Sequence, residues 1–476
     1  MDSPQMDRNP SPPPDRADGT DEEDDAIGET VYSKHWLFST LTRLIQMVTE
    51  QESEEGEGLI ELSDELEEEL CKVWDMAMNK WCYRLWGLSE QDVAGFLQEF
   101  KTPDILLGVI AKSRNPRLTE ICVGILGNMA CFPDTCAFIS QNDGLGAVLL
   151  LLLGDSDPPT LLETCRLLLT CVSQADVAPL WLERIQQQTA TCNSLCFIMR
   201  SSTNVELLIK VGELVDKLFD EDEELMKSWL SGPSSESDQD KDTHQDVASA
   251  LLEAAVQLRK ESPKALEAYL HALQLLTTVD EGLQNLVSDG GCGVSVWKVV
   301  CEVVCEDLCQ PDDPPLILQE QKALLAPALA LLSALYGNLQ TNISSALVAS
   351  LLRILYFDHE NQLGEESHHE SGNGPTDGKT DGERDVQLQV LAEIAAELLS
   401  TLLTDVPMEV VSELLKMDQL TEKIWVSALK TLLPQHNTSV LCFISTLTEV
   451  EPKLADVIKK ECSITSDSNE PKPEPT

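Results

Sequence analysis

The chain has 476 residues and carries 82 acidic residues against 33 lysines and arginines, which gives a net charge of −49. A field of this sign repels phosphate, so neither nucleic acid nor an anionic membrane surface is expected as a partner. Hydrophobic residues make up 42% of the chain and aromatic residues 5%, with leucine the main apolar residue. This composition favours helices, because strands favour β-branched and aromatic residues. The sequence therefore predicts an all-α protein whose partners are other proteins with basic segments.

The N-terminal stretch, residues 1–30, is predicted to be disordered. It combines several prolines with the acidic run Asp21–Asp25 and contains almost no apolar residues. Such a beginning does not resemble a signal peptide, so the 15 cysteines are expected to stay reduced inside the cell. The longest apolar runs, 145–153 and 323–336, are too short or too interrupted to span a bilayer. We therefore expect a soluble intracellular protein.

Helical spacing of apolar residues begins near Val31 and continues through Trp36 and Leu41. One segment of this first helical region differs from the rest, because Asn79–Leu88 is locally basic and aromatic in an acidic, aromatic-poor chain. Two interpretations of it stay open. It is either a docking patch for a partner, or a locally packed turn or segment inserted by alternative splicing.

A sequence repeat relates two stretches of the same region. Leu118–Cys122 aligns with Leu161–Cys165 at a shift of 43 residues, and a weaker third copy spans Val205–Phe219. A period near 43 is typical of armadillo and HEAT repeats, in which each unit has two or three helices. In addition, Asp157-Pro-Pro recurs as Asp313-Pro-Pro, where aspartate can cap a helix that proline starts. The pattern predicts an armadillo/HEAT-like α-solenoid that continues into the C-terminal half.

Two polar linkers are expected to interrupt the helices, since their composition cannot bury enough apolar surface to offset the entropy of ordering. Breaks between helices are also predicted inside the first helical region, at Arg114–Pro116, Phe132–Asp134, Asp143–Gly146 and Asp155–Pro159. The predicted segments are 1–30, disordered, acidic and Pro-rich; 31–230, armadillo-like helices; 231–246, linker; 247–357, helical repeats; 358–385, disordered acidic and His-containing linker; 386–463, C-terminal helices; and 464–476, disordered tail.

The cysteines raise the question of a metal site. Cys301, Cys305 and Cys309 occur at every fourth position, which would stack three thiols on one face of an α-helix. A structural zinc site needs a fourth ligand and usually takes pairs of ligands from turns. We therefore interpret these cysteines as small core residues, and His368-His369 as part of a solvated linker. The sequence contains no nucleophile elbow, phosphate-binding loop, dinucleotide fingerprint or zinc-protease motif, so it predicts no enzyme, no cofactor and no metal.

The stretch Asn115–Ala130 resembles the last helix of an armadillo repeat, followed by a Gly-bearing turn at Gly144-Leu-Gly146 and a leucine-rich helix. The resemblance implies that Asn128 matches the asparagine that lines the concave groove and hydrogen-bonds extended peptides. Asn128 is therefore the candidate partner-binding residue. Import receptors carry a groove tryptophan where this chain has Gly124, and the second repeat has Cys171 in place of the asparagine. The resemblance thus implies an incomplete peptide-binding ladder.

Four longer strings identify the chain as a member of the serum-amyloid-A-like (SAAL) protein family: Met6–Pro13, Val31–Phe38, Glu120–Cys131 and Asp155–Glu163. The resemblance implies an armadillo-like protein of the nucleus, with the cytoplasm also possible. It further implies a role in promoting cell proliferation in response to inflammatory signals, without catalytic activity.

The leading hypothesis is a non-enzymatic protein-binding scaffold whose acidic surface holds basic segments. The alternative is an import-receptor-like transport adaptor for basic segments, which a ladder of asparagine and tryptophan on successive helices would favour. The sequence offers only Asn128 for such a ladder. A metal-dependent or hydrolytic enzyme is the third class, and it lacks a motif. The oligomeric state stays open.

Overall fold

The computed structural model describes residues 34–51, 62–77, 97–98, 100–231, 246–262, 265–309, 315–339, 341–369 and 385–464. These residues form helices and connecting turns with no strand among them, so the predicted all-α class is confirmed. The predicted disordered N-terminus, most of both linkers, segment 79–88 and nearly all of the tail lie outside them.

Twenty-one α-helices occur in this part of the chain, and α15 continues into a π-helical segment, Val303–Leu308. They are α1 (Lys34–Gln51), α2 (Asp64–Ala77), α3 (Thr102–Lys112), α4 (Pro116–Met129), α5 (Pro133–Ser140), α6 (Asp143–Leu152), α7 (Pro158–Val172), α8 (Ala178–Gln187), α9 (Ala190–Ser201), α10 (Val205–Glu221), α11 (Glu223–Ser231), α12 (Val247–Glu261), α13 (Leu266–Leu276), α14 (Asp280–Val287), α15 (Gly293–Glu302), α16 (Pro315–Tyr336), α17 (Ser345–His369), α18 (Val386–Asp405), α19 (Met408–Leu414), α20 (Glu422–Val450) and α21 (Pro452–Glu461).

The chain divides into two compact units, Met1–Leu149 and Leu150–Thr476. In the first unit α4 is the central helix, because α2, α3 and α5 all pack against it, while α1 packs against α2 and α3. Its core is aliphatic, with Leu44, Leu70, Leu118 and Ile125 fully buried. Burial of such side chains from several helices stabilises the unit.

The second unit contains a row of helices in which each packs against the next: α7, α10, α13, α16, α18 and α20. The remaining helices pack alongside this row, as α9 does against α12 and α17 against α18 and α20. Each helix of the row buries its apolar face against its neighbours, which is the packing of a helical solenoid. At the C-terminal end, α20 contains Pro434 and bends at His436, and α21 packs against it. Pro434 accounts for the bend, because proline lacks the backbone N–H.

The sequence repeat corresponds to helices that begin in the same way. In α4, α7 and α10 the N-cap side chain accepts a hydrogen bond from the backbone N–H three residues on, at 3.0–3.2 Å. The N-cap's own N–H donates to a side chain two residues earlier, at 2.9–3.1 Å. These paired bonds satisfy backbone groups that a helix start leaves free. The pairs are Ser113 with Asn115, Asp155 with Asp157, and Ser202 with Asn204.

Two predicted boundaries differ from the structure. The predicted break at Asp143–Gly146 is wrong, since these residues form the first turn of α6. Asn142 caps that helix, and its Oδ1 accepts the Leu145 N–H at 3.0 Å. Glycine is therefore tolerated here, in a helical turn whose start is fixed by a cap.

The second linker begins later than predicted, because α17 continues past Asp358 to His369. Asp358 is buried, and the ring of His359 shares a hydrogen bond with Ser427 Oγ at 3.0 Å. Glu360 pairs with Lys423 Nζ at 2.7 Å. These partners lie on α20, far along the chain, so local composition could not reveal them.

Among the described helices, α18 is the one that is by itself long and apolar enough to cross a membrane, and α5 with α6 qualifies only as a bent pair. Within the second unit α18 packs against α16 and α20 and buries residues such as Leu391 and Leu398. The core helix of a solenoid has this same apolar character.

Candidate protein-binding site

Asn128, the candidate partner-binding residue, lies in the last turn of α4 and is only 6% exposed. Its Nδ2 donates a hydrogen bond to the backbone carbonyl of Trp74, 2.8 Å away. Trp74 belongs to the last turn of α2, where carbonyl groups have no donor within the helix. Asn128 therefore caps the C-terminal end of α2. The role of Asn128 towards a partner stays a prediction, since its side-chain amide donates this hydrogen bond within the chain.

Gly124 lies one helical turn before Asn128 and receives the ring of Trp74. A Cβ atom at Gly124 would overlap the six-membered ring of the indole. Glycine is needed here because the ring approaches the α4 backbone more closely than any side chain would permit. The indole ring of α2 thus fills the space beside this glycine. The sequence pattern could not reveal this pairing.

Arginine side chains from two helices hold the acidic side of α2. Arg117 of α4 donates from Nε to Glu67 and from Nη1 to Glu120, each at 2.7 Å. Burial opposes the charge of Arg117, but hydrogen bonds to Glu120 and Glu67 outweigh it and raise the pKa of the guanidinium. Arg43 of α1 donates to Glu69 at 2.8 Å. α2 is therefore fixed by charge as well as by its apolar face.

The asparagine site is not repeated in the next unit of the sequence repeat. Cys171 occupies the matching position in α7, where it is fully buried and has no amide to offer. The side-chain amide of Asn128 in α4 therefore has no counterpart at the matching position of α7.

In the second unit, α10 and α13 meet through a polar contact between a histidine and an aspartate. His271 Nδ1 lies 2.6 Å from Asp216 Oδ1. The hydrogen bond to Asp216, with the nearby carboxylates of Asp220 and Glu267, raises the pKa of His271, although burial opposes it. Of these carboxylates Asp220 and Glu267 are exposed. The α10–α13 face thus presents negative charge to solvent.

Many cations in the described part of the chain pair with its own carboxylates. Arg259 of α12 is the most heavily paired, since it contacts Glu302 at 2.6 Å, Glu306 at 3.2 Å and Asp307. Because the whole chain has 82 acidic residues against 33 lysines and arginines, such pairing cannot neutralise all of its carboxylates. Further cations paired in this way are Arg43, Lys72, Arg117, Arg166, Arg200, Lys210, Lys217, Lys227, Lys322 and Lys423.

The cysteine series does not lie on one continuous α-helix. Cys301 lies in α15, Cys305 lies in the π-helical segment and Cys309 follows it, so the regular α-helical face is interrupted. A π-helix has wider turns, which changes the register of residues four apart. Burial raises the pKa of Cys301 to about 12 and that of Cys305 to about 11. Among the residues that the structure describes, no group of three or more His, Cys, Asp and Glu side chains could hold a metal ion.

Comparison with known proteins identifies relatives along almost the whole chain. A family model described as the SAAL1 C-terminal domain matches residues 191–440. Protein saal1 of Danio rerio is 64% identical over 469 residues, which cover 98% of this chain and 96% of that protein. Protein SAAL1 of Homo sapiens is 47% identical over 482 residues, covering 96% of this chain and 98% of that protein.

Solved structures similar to the chain include a crystal structure of an engineered protein with a TM-score of 0.41 and 12% identity, covering 62% of this chain and 98% of that one. That likeness is too weak to add to the description of the fold. The names of the relatives denote no enzymatic reaction. On the family model and the identities above, the chain belongs to the SAAL1 family.

Proposed function

We propose that the chain is a non-enzymatic protein-binding scaffold whose acidic surface holds basic segments of other proteins. The proposal rests on the excess of acidic over basic side chains. Many of the described cations pair with carboxylates of the same chain, and the chain as a whole has a large excess of acidic side chains. An unbalanced acidic field raises the association rate of basic partners and repels nucleic acid.

The α10–α13 face is the part of this surface that we assign to the partner. His271 Nδ1 lies 2.6 Å from Asp216 Oδ1, and the nearby carboxylates of Asp220 and Glu267 are exposed. Lys217 pairs with Asp220 at 3.6 Å and with Glu221, so it neutralises only part of the negative charge of this face. A basic segment of a partner supplies the missing positive charge, with a free energy that depends on salt.

The residues at the two candidate asparagine positions, in α4 and α7, favour the scaffold over a transport adaptor. Asn128 is hydrogen-bonded to Trp74, and Cys171 replaces the next asparagine. An adaptor that holds extended peptides needs such amides free and repeated on successive repeats. As a member of the SAAL1 family, the chain is also proposed to act in the nucleus and to promote cell proliferation in response to inflammatory signals.

Proximity labelling and co-purification from cells, carried out with two charge-reversal variants, test the scaffold. The first variant combines Asp220→Lys with Glu267→Lys. The matched control combines Glu409→Lys with Glu449→Lys, which changes the net charge equally at exposed positions elsewhere in the second unit. We expect basic partners to be lost from the first variant, retained by the control, and released from the wild-type chain at about 0.5 M salt.

Loss of the same partners from both variants would support binding through the overall acidic charge and would contradict a specific site at the α10–α13 face. Partners that are unaffected by either variant and by salt would contradict the scaffold itself.

A further inference from the structure

Helix α2 is bound to α4 in the manner of a ligand in a site, with contacts at both of its ends. Near its N-terminal end Glu67 meets Arg117 at 2.7 Å, and at its C-terminal end Trp74 lies against Gly124 and is capped by Asn128. The two helices run in the same direction, because the contact Glu67–Arg117 precedes the contact Trp74–Gly124 along both of them. The α4 face thus recognises a carboxylate, a ring and a helix C-terminus in a fixed order.

The surface of α2 is divided into an apolar and an acidic side. Its buried side consists of Leu66, Leu70, Val73, Met76 and Ala77. Its outer side is acidic, since the side chains of Glu65 and Glu68 are 79% and 70% exposed. An amphipathic helix of this kind is the form in which many peptides enter apolar grooves of partner proteins.

The helix that α2 covers also has other neighbours. α4 packs against α3 and α5 as well as against α2. Arg117 is also held by Glu120 of its own helix at 2.7 Å, so its position does not depend on α2 alone. The glycine notch belongs to the α4 backbone and persists whichever helix fills it.

We propose that the α4 face around Arg117, Gly124 and Asn128 is a binding site for an acidic amphipathic helix of a partner protein, and that α2 is its tethered occupant. The partner helix carries a carboxylate and, seven residues later on the same face, a tryptophan, as Glu67 and Trp74 do in α2. Charge complementarity with Arg117 and Arg43 selects acidic helices. This site therefore has the opposite charge preference to the acidic α10–α13 face.

Hydrogen exchange of the wild-type chain provides the first test. A tethered occupant opens without unfolding the helices beneath it, so we expect α2 amides to exchange faster than those of α4 by at least about tenfold. Equal protection of the two helices would show that they open together, and it would overturn the proposal. This measurement requires no substitution and so does not depend on the folding of a variant.

Binding of a synthetic peptide with the sequence of residues 62–77 provides the second test. Trp74→Ala in the full chain weakens the tethered helix, so the variant is expected to bind the labelled peptide roughly tenfold more tightly than the wild-type chain does. The peptide with the same Trp74→Ala change is the control, and it should bind neither chain.

In the double variant Trp74→Ala with Gly124→Ala, the new methyl group at position 124 occupies the space of the indole ring. It does not clash with α2 of the same chain, because that helix no longer carries the ring. The double variant should keep its helix content and reject the wild-type peptide. A folded Trp74→Ala chain that fails to bind the peptide, or a double variant that binds it equally well, would contradict the assignment.

Discussion

The phenol ring of Tyr269 lies against Gly212, and its hydroxyl donates a hydrogen bond to the Leu208 carbonyl oxygen at 2.7 Å. A Cβ at Gly212 would overlap the ring, which is fully buried. We therefore expect Gly212→Ala to lower the free energy of unfolding of the second unit by about 1–3 kcal/mol, the usual cost of overpacking. Urea denaturation followed by circular dichroism measures it. Gly108→Ala, where nothing crowds the added methyl group, should not destabilise its helix.

Stability should depend on pH through His271. Its hydrogen bond to Asp216 raises the pKa of the ring above its usual value near 6.5. The stabilisation is therefore fully present below about pH 6.5 and is lost as the pH rises through the higher pKa of the folded state. His271→Gln should lower the melting temperature at pH 5.5 and have a smaller effect at pH 8.5. Asp216→Asn should remove the same pH-dependent difference, and an effect of His271→Gln that is equal at both pH values would contradict this linkage.

The repeated N-caps give a prediction about helix starts. Asp157 accepts hydrogen bonds from Thr160 N–H at 3.0 Å and from the Thr160 hydroxyl at 2.7 Å. Asp157→Ala should lower the free energy of unfolding by about 1 kcal/mol, because the first turn of α7 loses its acceptor. Asp157→Asn keeps an acceptor oxygen and should cost much less in the same urea titration. Equal losses for the two variants would show that the charge, rather than the cap, matters.

Arg259 joins α12 to the last residue of α15, Glu302, and to Glu306 and Asp307 in the segment that follows it. Arg259→Ala should destabilise the second unit by about 1–2 kcal/mol at low salt, since three carboxylates then lose their common cation. Arg259→Lys should recover only part of this, because an ammonium cannot reproduce the planar fork of donors. Thermal denaturation at about 0.05 M and 0.5 M salt measures the difference, which should shrink at high salt.

Asn128 gives a prediction that separates folding from binding. Asn128→Ala removes the bond to the Trp74 carbonyl and should lower the stability of the first unit by about 1 kcal/mol. Asn128→Asp should be worse, because a carboxylate then faces the carbonyl oxygen. Proximity labelling with Asn128→Ala should return the same basic partners as the wild-type chain, since those are assigned to the α10–α13 face. Loss of these partners without loss of stability would instead make Asn128 a binding residue for them.

Local signals in the sequence predicted the helix starts well. Asp157 followed by proline does cap α7, and the stretches related by the shift of 43 do lie in α4 and α7, although the two N-caps, Asn115 and Asp157, are 42 residues apart. Long-range contacts were not predictable in this way. Nothing in the residues near Trp74 or Gly124 indicates that these two meet. The end of α17 was misplaced for the same reason, since its partners Lys423 and Ser427 lie on another helix.

Helix α21 has a consequence for how copies of the protein meet. It packs on α20, the last helix of the row, and buries Ala455 and Ile458 while Lys453 and Lys460 stay exposed. An uncovered final helix in a row of repeats presents an apolar edge on which another molecule can stack. With α21 in place that edge is charged and hydrated. We therefore expect α21 to disfavour stacking of another molecule on α20.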